Sequence, residues 1–442
     1  MGGELGHPAT DNPTAVYFNP AAMTLELGTH LYVEGIFVYR TGSYFRPQGD
    51  IDHLGEGTPD EALDANSGRA ELHNVLWSPF IGVVSDLGGK RDLRVGAAFS
   101  VPFGGQVSWD RNDAYVGNQQ YPGAEDGVQR WNIIEGQTRF EYMTAAAAYR
   151  LRAAHLSLGA GFNLIRATLT TIRARTPEAN DDLVSAAGDL IEGRSMFEGA
   201  AWTASVSLGA LYEPNPHLAV GLSYQSVPGF GEIGLKGTLT NRFNTTTDTP
   251  AEMRETFPDI YRLGMRWRNG KMELRASGDY TRWRVMEYQC LLSSNDPARK
   301  CSFNVDGSLA SDGSGVLTSV DRDLHDTFGL RVGGSYQVTP KVNAFAGVSF
   351  DSNAVPDETL EASLIDANKV IVSGGARFPV LRDRLYLTTS LTHVEYARRK
   401  TDPRPRDADG EPLLQTPSLN PDGAGRYNTR LELLTIGAEY QF

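Results

Sequence analysis

The feature that most constrains this chain is an alternation of apolar and polar residues with a period of two. In the C-terminal segment LELLTIGAEYQF, one set of alternate residues is aliphatic or aromatic: Leu434, Ile436, Ala438, Tyr440 and Phe442. The residues between them are mainly small or polar. Because a β-strand presents successive side chains to opposite sides, the segment predicts a strand with one apolar and one polar face.

The same alternation recurs in HLAVGLSYQS, YRLGMRW and TFGLRVGGSYQV, and in the last two the polar face carries Arg262, Arg266 and Arg331. A soluble β-sandwich buries its apolar face between two sheets. A barrel in a membrane inverts that arrangement, because lipid surrounds it and its lumen is polar. The pattern therefore predicts an all-β fold, a transmembrane antiparallel β-barrel whose arginines point into the lumen.

Fourteen segments carry the pattern, and single-chain outer-membrane barrels have an even number of strands. The predicted strands are residues 30–40, 72–86, 92–108, 137–150, 154–171, 199–213, 217–238, 255–268, 271–288, 325–338, 341–351, 369–379, 384–396 and 428–442. Tight turns alternate with long polar stretches at 41–70, 109–136, 172–198, 239–254, 289–324 and 397–427. This asymmetry predicts short periplasmic turns and long external loops. The last stretch, rich in proline and charge, is predicted to be a solvated loop.

Composition excludes several other classes of protein. No window approaches 18 uninterrupted apolar residues, so helical membrane spans are excluded. The net charge is −13 and there is no block of lysine or arginine, which argues against a nucleic-acid partner. No phosphate-cradling glycine loop or metal-spaced cluster of histidine and acid occurs. The sequence therefore predicts no cofactor and no metal.

The only two cysteines, Cys290 and Cys301, flank a polar segment rich in turn residues. Their spacing favours a disulfide that closes one loop in an oxidising compartment. Two free thiols in a reducing compartment are the alternative. A zinc site would need histidines nearby, and the sequence has none there.

The loop segment NDDLVSAAGDLIEG has apolar residues at helical spacing. They are Leu183, Val184, Ala187, Leu190 and Ile191. This spacing predicts a short amphipathic helix that begins near Asn180, where an N-cap and acidic residues are available. Its apolar face has two interpretations: it caps the barrel mouth, or it is a landing surface for an apolar ligand.

The N-terminal stretch ATDNPTAVYFNPAAM resembles the hatch signature of the FadL family of outer-membrane transporters for long-chain fatty acids and hydrocarbons. The resemblance continues in order through AFSVPFGGQVSWD, YRLRAAHLSLGAGFNLI, GLSYQS, FPDIYRLGMRW, GVSFDSNAVPDETL and AEYQF. One departure is Asn12, which stands where the family has a second acidic residue. The resemblance implies a monomer in the bacterial outer membrane, with fourteen strands and a plug inside the lumen.

The resemblance also implies two domains, an N-terminal hatch or plug at residues 1–28 and a barrel at residues 29–442. The hatch motif Asn19, Pro20 and Ala21 would form a turn of the plug, with its apolar neighbours in the lumen. An exposed turn without a role is the alternative. The segment MGGELGHPATD has neither the basic nor the apolar region of a signal peptide. The expectation is that the chain as given begins downstream of its true start.

The segment VPFGGQV lies inside the predicted third strand and contains residues that interrupt strands: Pro102, Gly104 and Gly105, with Phe103 among them. Proline lacks an amide donor, and glycine pairs mark bulges or bends. The resemblance implies an inward kink here that leaves a lateral gate in the wall. The alternative is a bulge that only sets barrel curvature. With the gate, an apolar ligand would diffuse passively into outer-membrane lipid, since each buried methylene favours transfer by about 0.8 kcal/mol.

The resemblance places Arg173 where family members that bind fatty acids have a carboxylate-binding arginine. It places His325 where they have a lysine, and a histidine is mostly neutral at pH 7. An ordinary strand-end charge is the alternative for Arg173. Further inner-face charges are predicted to pair and hold the plug: Arg262, Arg266, Arg275, Arg331, Glu273, Asp279 and Glu439.

The predicted function is hydrophobic-ligand transport, with a hydrophilic-solute porin as the alternative. An adhesin or a purely structural barrel is a weaker alternative. An enzyme is not predicted, because His325 and His393 have no clear serine and acid partners in the sequence. Fatty acid and hydrocarbon substrates stay open.

Overall fold

The computed structural model describes residues 6–48, 60–89, 92–177, 181–185, 187–304, 309–381, 384–403, 421 and 423–442. Nineteen strands are formed by these residues: β1 Thr29–Arg46, β2 Gly68–Ser85, β3 Leu93–Ser108, β4 Glu135–Leu151, β5 Leu156–Arg175, β6 Gly193–Asn215, β7 Leu218–Gln225, β8 Ile233–Arg242, β9 Thr246–Glu255, β10 Ile260–Asn269, β11 Met272–Thr281, β12 Tyr288–Ser293, β13 Val316–Asp321, β14 Thr327–Thr339, β15 Val342–Asp351, β16 Lys369–Leu381, β17 Leu385–Tyr396, β18 Arg399–Thr401 and β19 Gly425–Gln441.

Helices are few and short. The α-helices are α1 Ala15–Phe18 and α2 Asp60–Ala65, and the 3-10 helices are Pro20–Leu25, Asp113–Tyr115, Pro122–Asp126, Val128–Trp131, Arg152–Ala154, Pro228–Phe230, Trp283–Val285 and Asp357–Thr359. Within the described ranges, no helix is both long and apolar enough to cross a membrane.

Fourteen of the strands form a closed antiparallel ring, which confirms the predicted fold class. They are β1 to β7, β10, β11, β14 to β17 and β19, each hydrogen-bonded to the next. The ring closes where β19 pairs with β1, from His30 opposite Gln441 to Phe45 opposite Arg426. Closure leaves neither β1 nor β19 as an exposed edge.

The two faces of the wall follow the predicted alternation. On the outside, Leu263 is 57% and Leu330 is 56% exposed. On the inside, Arg262 and Glu439 are buried. A continuous belt of exposed aliphatic and aromatic side chains is unfavourable in water. Its presence all round the ring indicates that lipid surrounds this part of the barrel.

The wall extends beyond the predicted strands on one side. The predicted strand 217–238 is two strands, because β7 ends at Gln225 and Gly229, with φ +74°, turns the chain before β8. The predicted loops 239–254 and 289–324 contain β9, β12 and β13. The reason is the 23-residue length of β6, whose outer part pairs with β8 after β7 has ended. The strands β8, β9, β12 and β13 have no lipid-facing apolar row. The alternation of apolar and polar residues therefore did not predict them as separate strands.

The helix predicted in NDDLVSAAGDLIEG is wrong for its described residues. Val184 forms an antiparallel bridge with Leu190, and Gly188, at φ +87°, reverses the chain between them. Ile191, another residue of the predicted apolar stripe, donates its backbone N–H to the Leu183 carbonyl at 3.2 Å. The predicted N-cap Asn180 lies outside the described residues, as does most of the predicted loop 397–427.

Candidate functional site

The N-terminal segment, defined here as residues 6–28, lies against the inner face of the barrel. Several of its apolar side chains are fully buried, including Val16, Ala21 and Met23, whereas Leu27 is 76% exposed. Inward-facing glycines on neighbouring strands allow this close approach. A Cβ added at Gly159 would lie 2.4 Å from the Ala21 nitrogen, and one at Gly209 would lie 2.0 Å from Asn19 Oδ1. Any side chain at these two positions would displace the segment.

Asn19 connects this segment to the wall through both ends of its carboxamide. Its Nδ2 donates to the Pro8 carbonyl at 2.7 Å and to the Ala210 carbonyl on β6 at 3.0 Å. Its Oδ1 accepts from the Ala21 N–H at 3.1 Å and so caps the 3-10 helix that begins at Pro20. Proline suits that first position because it has no amide hydrogen to satisfy there. The Asn-Pro-Ala sequence thus fits a buried turn.

Charges at the base of the lumen also bind the segment. Asp11 Oδ2 forms ion pairs with Arg266 at 2.7 Å and Arg268 at 2.8 Å. Burial opposes ionisation of Asp11, but Arg266, Arg268 and Arg275 hold the pKa of its carboxyl well below the ordinary range. Arg262 lies over the Tyr17 ring, 5.1 Å from its centroid. Of the predicted ladder, Arg262 and Arg266 therefore contact the segment.

The other predicted ladder residues pair within the wall. Arg275 pairs with Glu273, and Arg331 pairs with Asp279 and with Asp351. Glu439 pairs with His30 at 2.7 Å and with Arg377 at 2.7 Å. Buried charges require such partners.

The β2–β3 pairing is interrupted halfway along. The two strands pair from Ser85 opposite Val95 to Phe80 opposite Ser100, and no further pairing joins them within the described part of both strands. On the other side of β3, the register with β4 shifts between Ser100 and Phe103. This is a β-bulge, since one residue of β4, Glu141, faces the two residues Val101 and Pro102.

The separation between the strands is bounded at both ends by side-chain hydrogen bonds. Ser78 Oγ donates to the Val101 carbonyl at 3.5 Å. Further out, Asn74 Nδ2 donates to the Ser108 carbonyl at 2.7 Å. We call the stretch between these two bonds the lateral opening, formed by residues 75–77 of β2 and 102–107 of β3. A Cβ added at Gly105 would meet no atom within 4 Å.

The bulge also reverses which residues of β3 face inward. Before it, Ala98 and Ser100 face the lumen and are buried. After it, Val107 is buried and the Phe103 ring points inward, 5.7 Å from Phe257 and 6.2 Å from Trp283 between ring centroids. One extra residue moves all later side chains to the opposite face. Phe103 therefore lies in the lumen directly behind the lateral opening.

Phe103 belongs to a larger apolar lining. Its ring also lies 6.3 Å from that of Tyr142, which in turn is 6.5 Å from Tyr17 of the N-terminal segment. Above it, buried apolar side chains from several strands continue the lining, among them Ile165, Leu169, Phe197, Leu235 and Leu291. The outer half of the lumen is therefore apolar up to the lateral opening.

Arg173 lies at the outer end of β5, above this lining. Its Nη2 donates to Thr318 Oγ1 at 3.4 Å, and it lies within electrostatic range of Arg175, Arg322 and Glu361. Arg322 Nη1 donates to Glu361 Oε1 at 2.8 Å. Burial opposes ionisation of Glu361, but Arg322 and Arg173 lower the pKa of its carboxyl. Among the described residues, three arginines and one glutamate therefore lie close together at this point.

The other predicted ligand residues are not gathered at Arg173. His325 is exposed, and the cations beside Arg173 are Arg175 and Arg322. Leu183 is buried against Tyr121 and Trp131 in an external loop cluster, whereas Leu190 is 43% exposed. The sequence analysis did not identify Arg322, because its position depends on a contact with Glu361 in another loop. No local sequence pattern indicates such a contact.

The predicted disulfide Cys290–Cys301 is formed, and it closes the loop that follows β12. Among the residues placed by the structure, no group of histidine, cysteine and acidic side chains could hold a metal ion.

A closed barrel of fourteen strands, apolar outside and charged inside, is the architecture of an outer-membrane protein. The family described as outer membrane protein transport protein (OMPP1/FadL/TodX) matches residues 2–406, and this chain belongs to that family. The protein is located in the bacterial outer membrane.

Relatives agree with this assignment. Outer membrane protein P1 of Haemophilus influenzae is 23% identical over 397 residues, which are 83% of this chain and 77% of that protein. A FadL homologue of Pseudomonas aeruginosa has a TM-score of 0.74 at 18% identity, covering 100% of this chain and 96% of that one. The Ralstonia pickettii toluene transporter TbuX has a TM-score of 0.62 at 15% identity, covering 99% of each chain. The two solved structures show the same fold.

Proposed function

We propose that this protein is a passive transporter of hydrophobic ligands, which leave its lumen sideways through the lateral opening into the membrane. The observation that carries the proposal is the interrupted β2–β3 pairing, with Phe103 and its apolar lining directly behind it. A porin needs an unobstructed aqueous lumen. Here the N-terminal segment occupies the base of the lumen and an apolar lining fills the outer half.

The proposed path has a binding stage and an exit stage. A ligand enters from the external loops and exchanges water for the lining around Ile165 and Phe197. It then passes Phe103 and leaves between β2 and β3, where lipid lies outside. A long acyl chain gains about 0.8 kcal/mol for each methylene that stays out of water. The route therefore needs no coupled energy source, and residues 1–28 act as a plug that prevents exit into the periplasm.

The ligand class includes molecules with one anionic end. Two structures of similar fold, TodX of Pseudomonas putida and TbuX of Ralstonia pickettii, are toluene transporters, so the fold accommodates uncharged cargo. In this chain three cationic side chains, Arg173, Arg175 and Arg322, lie at the top of the lining beside Glu361. We propose that Arg173 binds a carboxylate while the acyl chain occupies the lining below. The protein acts as a monomer without catalytic residues.

Planar-bilayer recordings separate this function from the porin alternative. The wild-type protein is expected to show no large, steady open-pore current, because Asp11 and Asn19 hold the N-terminal segment across the lumen. A hydrophobic ligand should nevertheless enter cells that express the protein. A large steady current in the wild type would favour the porin and contradict the plug.

The Arg173→Ala variant tests the carboxylate site. Binding of a long-chain fatty acid is expected to weaken about tenfold or more, since a hydrogen bond to a charged group contributes about 1.5–3 kcal/mol. Binding of an alkane of equal length should not change. Calorimetric or fluorescence titration in detergent measures both ligands.

Arg166→Ala is the matched control, because Arg166 lies on the same strand but is exposed on the outer face. It should bind both ligands like the wild type. If the wild type shows no preference for the fatty acid over the alkane, the carboxylate site is refuted while hydrophobic transport stands.

A further inference from the structure

We propose that the outer rim of the barrel at β1, β2, β18 and β19 binds the phosphate groups of lipopolysaccharide in the outer leaflet. A groove of about 790 Å³ lies there on the outside of the wall. Its lining includes two aromatic residues, Phe45 and Tyr427, and five cationic side chains: Arg69, Arg398, Arg399, Lys400 and Arg426. We call this surface the basic groove.

The charge of the basic groove is opposite to that of the chain. The protein has a net charge of −13, yet the described residues that line this groove include no acid. Three of the cations have an acidic neighbour. Arg69 pairs with Glu71 at 2.8 Å, Lys400 with Asp402 at 3.3 Å, and Arg399 with Asp357.

Arg398 and Arg426 have no carboxylate partner among the described residues. Arg426 instead lies over Phe45, with its guanidinium carbon 4.5 Å from the ring centroid. This cation–π contact keeps the Arg426 side chain beside Phe45 in the groove. Guanidinium groups bind phosphate oxygens through paired hydrogen bonds. The groove thus presents two uncompensated arginines, beside three partly compensated cations, to an anion.

The register brings these cations together in one row across the strands. Phe45 lies opposite Arg69 on one side and Arg426 on the other, and Lys400 lies opposite Arg426. Arg69, Arg426 and Phe45 alternate with buried residues, so their side chains project outward. A ligand of this row therefore approaches from beside the barrel rather than through its lumen.

The height of this row of cations above the apolar belt indicates which ligand it binds. The last apolar pair on this face is Tyr39 and Val75, which are 46% and 76% exposed and lie opposite each other. Phe45 is six residues further along β1, which is roughly 20 Å along the strand and about 15 Å above the apolar belt at the usual strand tilt. Phosphorylated sugars of lipopolysaccharide lie in this layer, and basic clusters beside a membrane bind anionic lipid head groups.

The test uses the full chain in detergent micelles, titrated with purified lipopolysaccharide. Bound lipid is counted by native mass spectrometry, and the thermal unfolding midpoint is followed in parallel. The variant is Arg398→Gln combined with Lys400→Gln and Arg426→Gln. The matched control makes the same change at three exposed cations of the opposite rim, Lys271, Lys341 and Arg384.

Lipopolysaccharide binding is expected to weaken by about tenfold or more in the triple variant and to stay unchanged in the control. Dephosphorylated lipopolysaccharide should bind the wild type as weakly as the intact lipid binds the triple variant. Phosphatidylglycerol and inorganic phosphate should both bind more weakly than lipopolysaccharide. The single variant Arg398→Gln removes one exposed side chain and should give a smaller loss in the same direction.

Equal binding by the triple variant and the control would overturn the proposal. So would equal wild-type affinity for phosphatidylglycerol or inorganic phosphate, because the groove would then recognise charge alone. Equal binding of the dephosphorylated lipid would overturn it as well, since sugar contacts would then dominate.

Discussion

Gly105→Phe is expected to lower the uptake of hydrophobic ligands at least about tenfold, since an increase of only 1.4 kcal/mol in the barrier slows passage by that factor. Gly105 lies in the lateral opening, where an added Cβ meets no atom within 4 Å. By the alternation after the bulge, Gly105 faces the lumen like Phe103 and Val107. A phenyl ring there would therefore obstruct the path from the lumen to the opening without displacing the backbone. Uptake of a labelled fatty acid by cells lacking other routes measures the effect.

Two controls make this result specific. Gln137→Phe adds the same ring on the neighbouring strand β4, where Gln137 is exposed on the outer face and outside the lateral opening. Ligand uptake through the Gln137→Phe variant should match uptake through the wild type. Gly105→Phe must also give a normally folded barrel, which the gel-mobility change on heating reports. Normal uptake by a folded Gly105→Phe protein would mean that ligand does not leave between β2 and β3.

Asp11→Asn is expected to loosen the N-terminal segment and to produce ion-channel openings that the wild type lacks. Asp11 pairs with Arg266 and Arg268. Without the carboxylate, the buried Arg266 loses its partner at a cost of about 1–3 kcal/mol. Planar-bilayer recordings would detect the openings. Hydrogen exchange should become faster in residues 6–26, which the barrel otherwise buries.

The stabilisation that the Asp11 ion pairs provide depends on pH in a direction set by the pKa of Asp11. The pKa of the Asp11 carboxyl is below its ordinary value of 3.8, so its stabilising contribution is complete above that value and is lost as the pH falls through the lower pKa. The contribution of Asp11 to holding the segment should therefore stay constant between about pH 5 and pH 8.

The control for Asp11→Asn is Asp92→Asn. Asp92 pairs with Arg152 at 2.5 Å on the exposed rim, so the same chemical change there should leave conductance and exchange unaltered. If Asp11→Asn behaves like Asp92→Asn, the ion pairs at Asp11 do not hold the segment in place.

The strand pattern made the barrel predictable from sequence because every lipid-facing strand must carry an apolar row. All fourteen ring strands obey this constraint. The strands β8, β9, β12 and β13 do not, because they lie above the lipid belt and pair with one another or with the outer part of β6. The sequences of β9, β12 and β13 were therefore predicted mainly as loops, and most of β8 was included in the predicted strand 217–238.

The bulge in β3 was predictable because Pro102 and the two glycines after it disfavour regular pairing. The consequence for Phe103 was not, since the direction of its side chain depends on the register with β4. At the head-group site, Arg173 could be placed along its strand by the family resemblance. Arg322 could not, because its position depends on a contact between two external loops.

A photoreactive hydrocarbon or fatty acid, cross-linked in native outer membranes and mapped by mass spectrometry, tests the exit route most directly. Adducts are expected on Phe103 and on the residues that border the lateral opening, β2 75–77 and β3 102–107. Gly105→Phe should remove the adducts on residues 75–77, while those on Phe197 and Ile165 persist. Adducts on Asp11 and the glycines beneath the N-terminal segment, with none at the β2–β3 border, would contradict lateral exit.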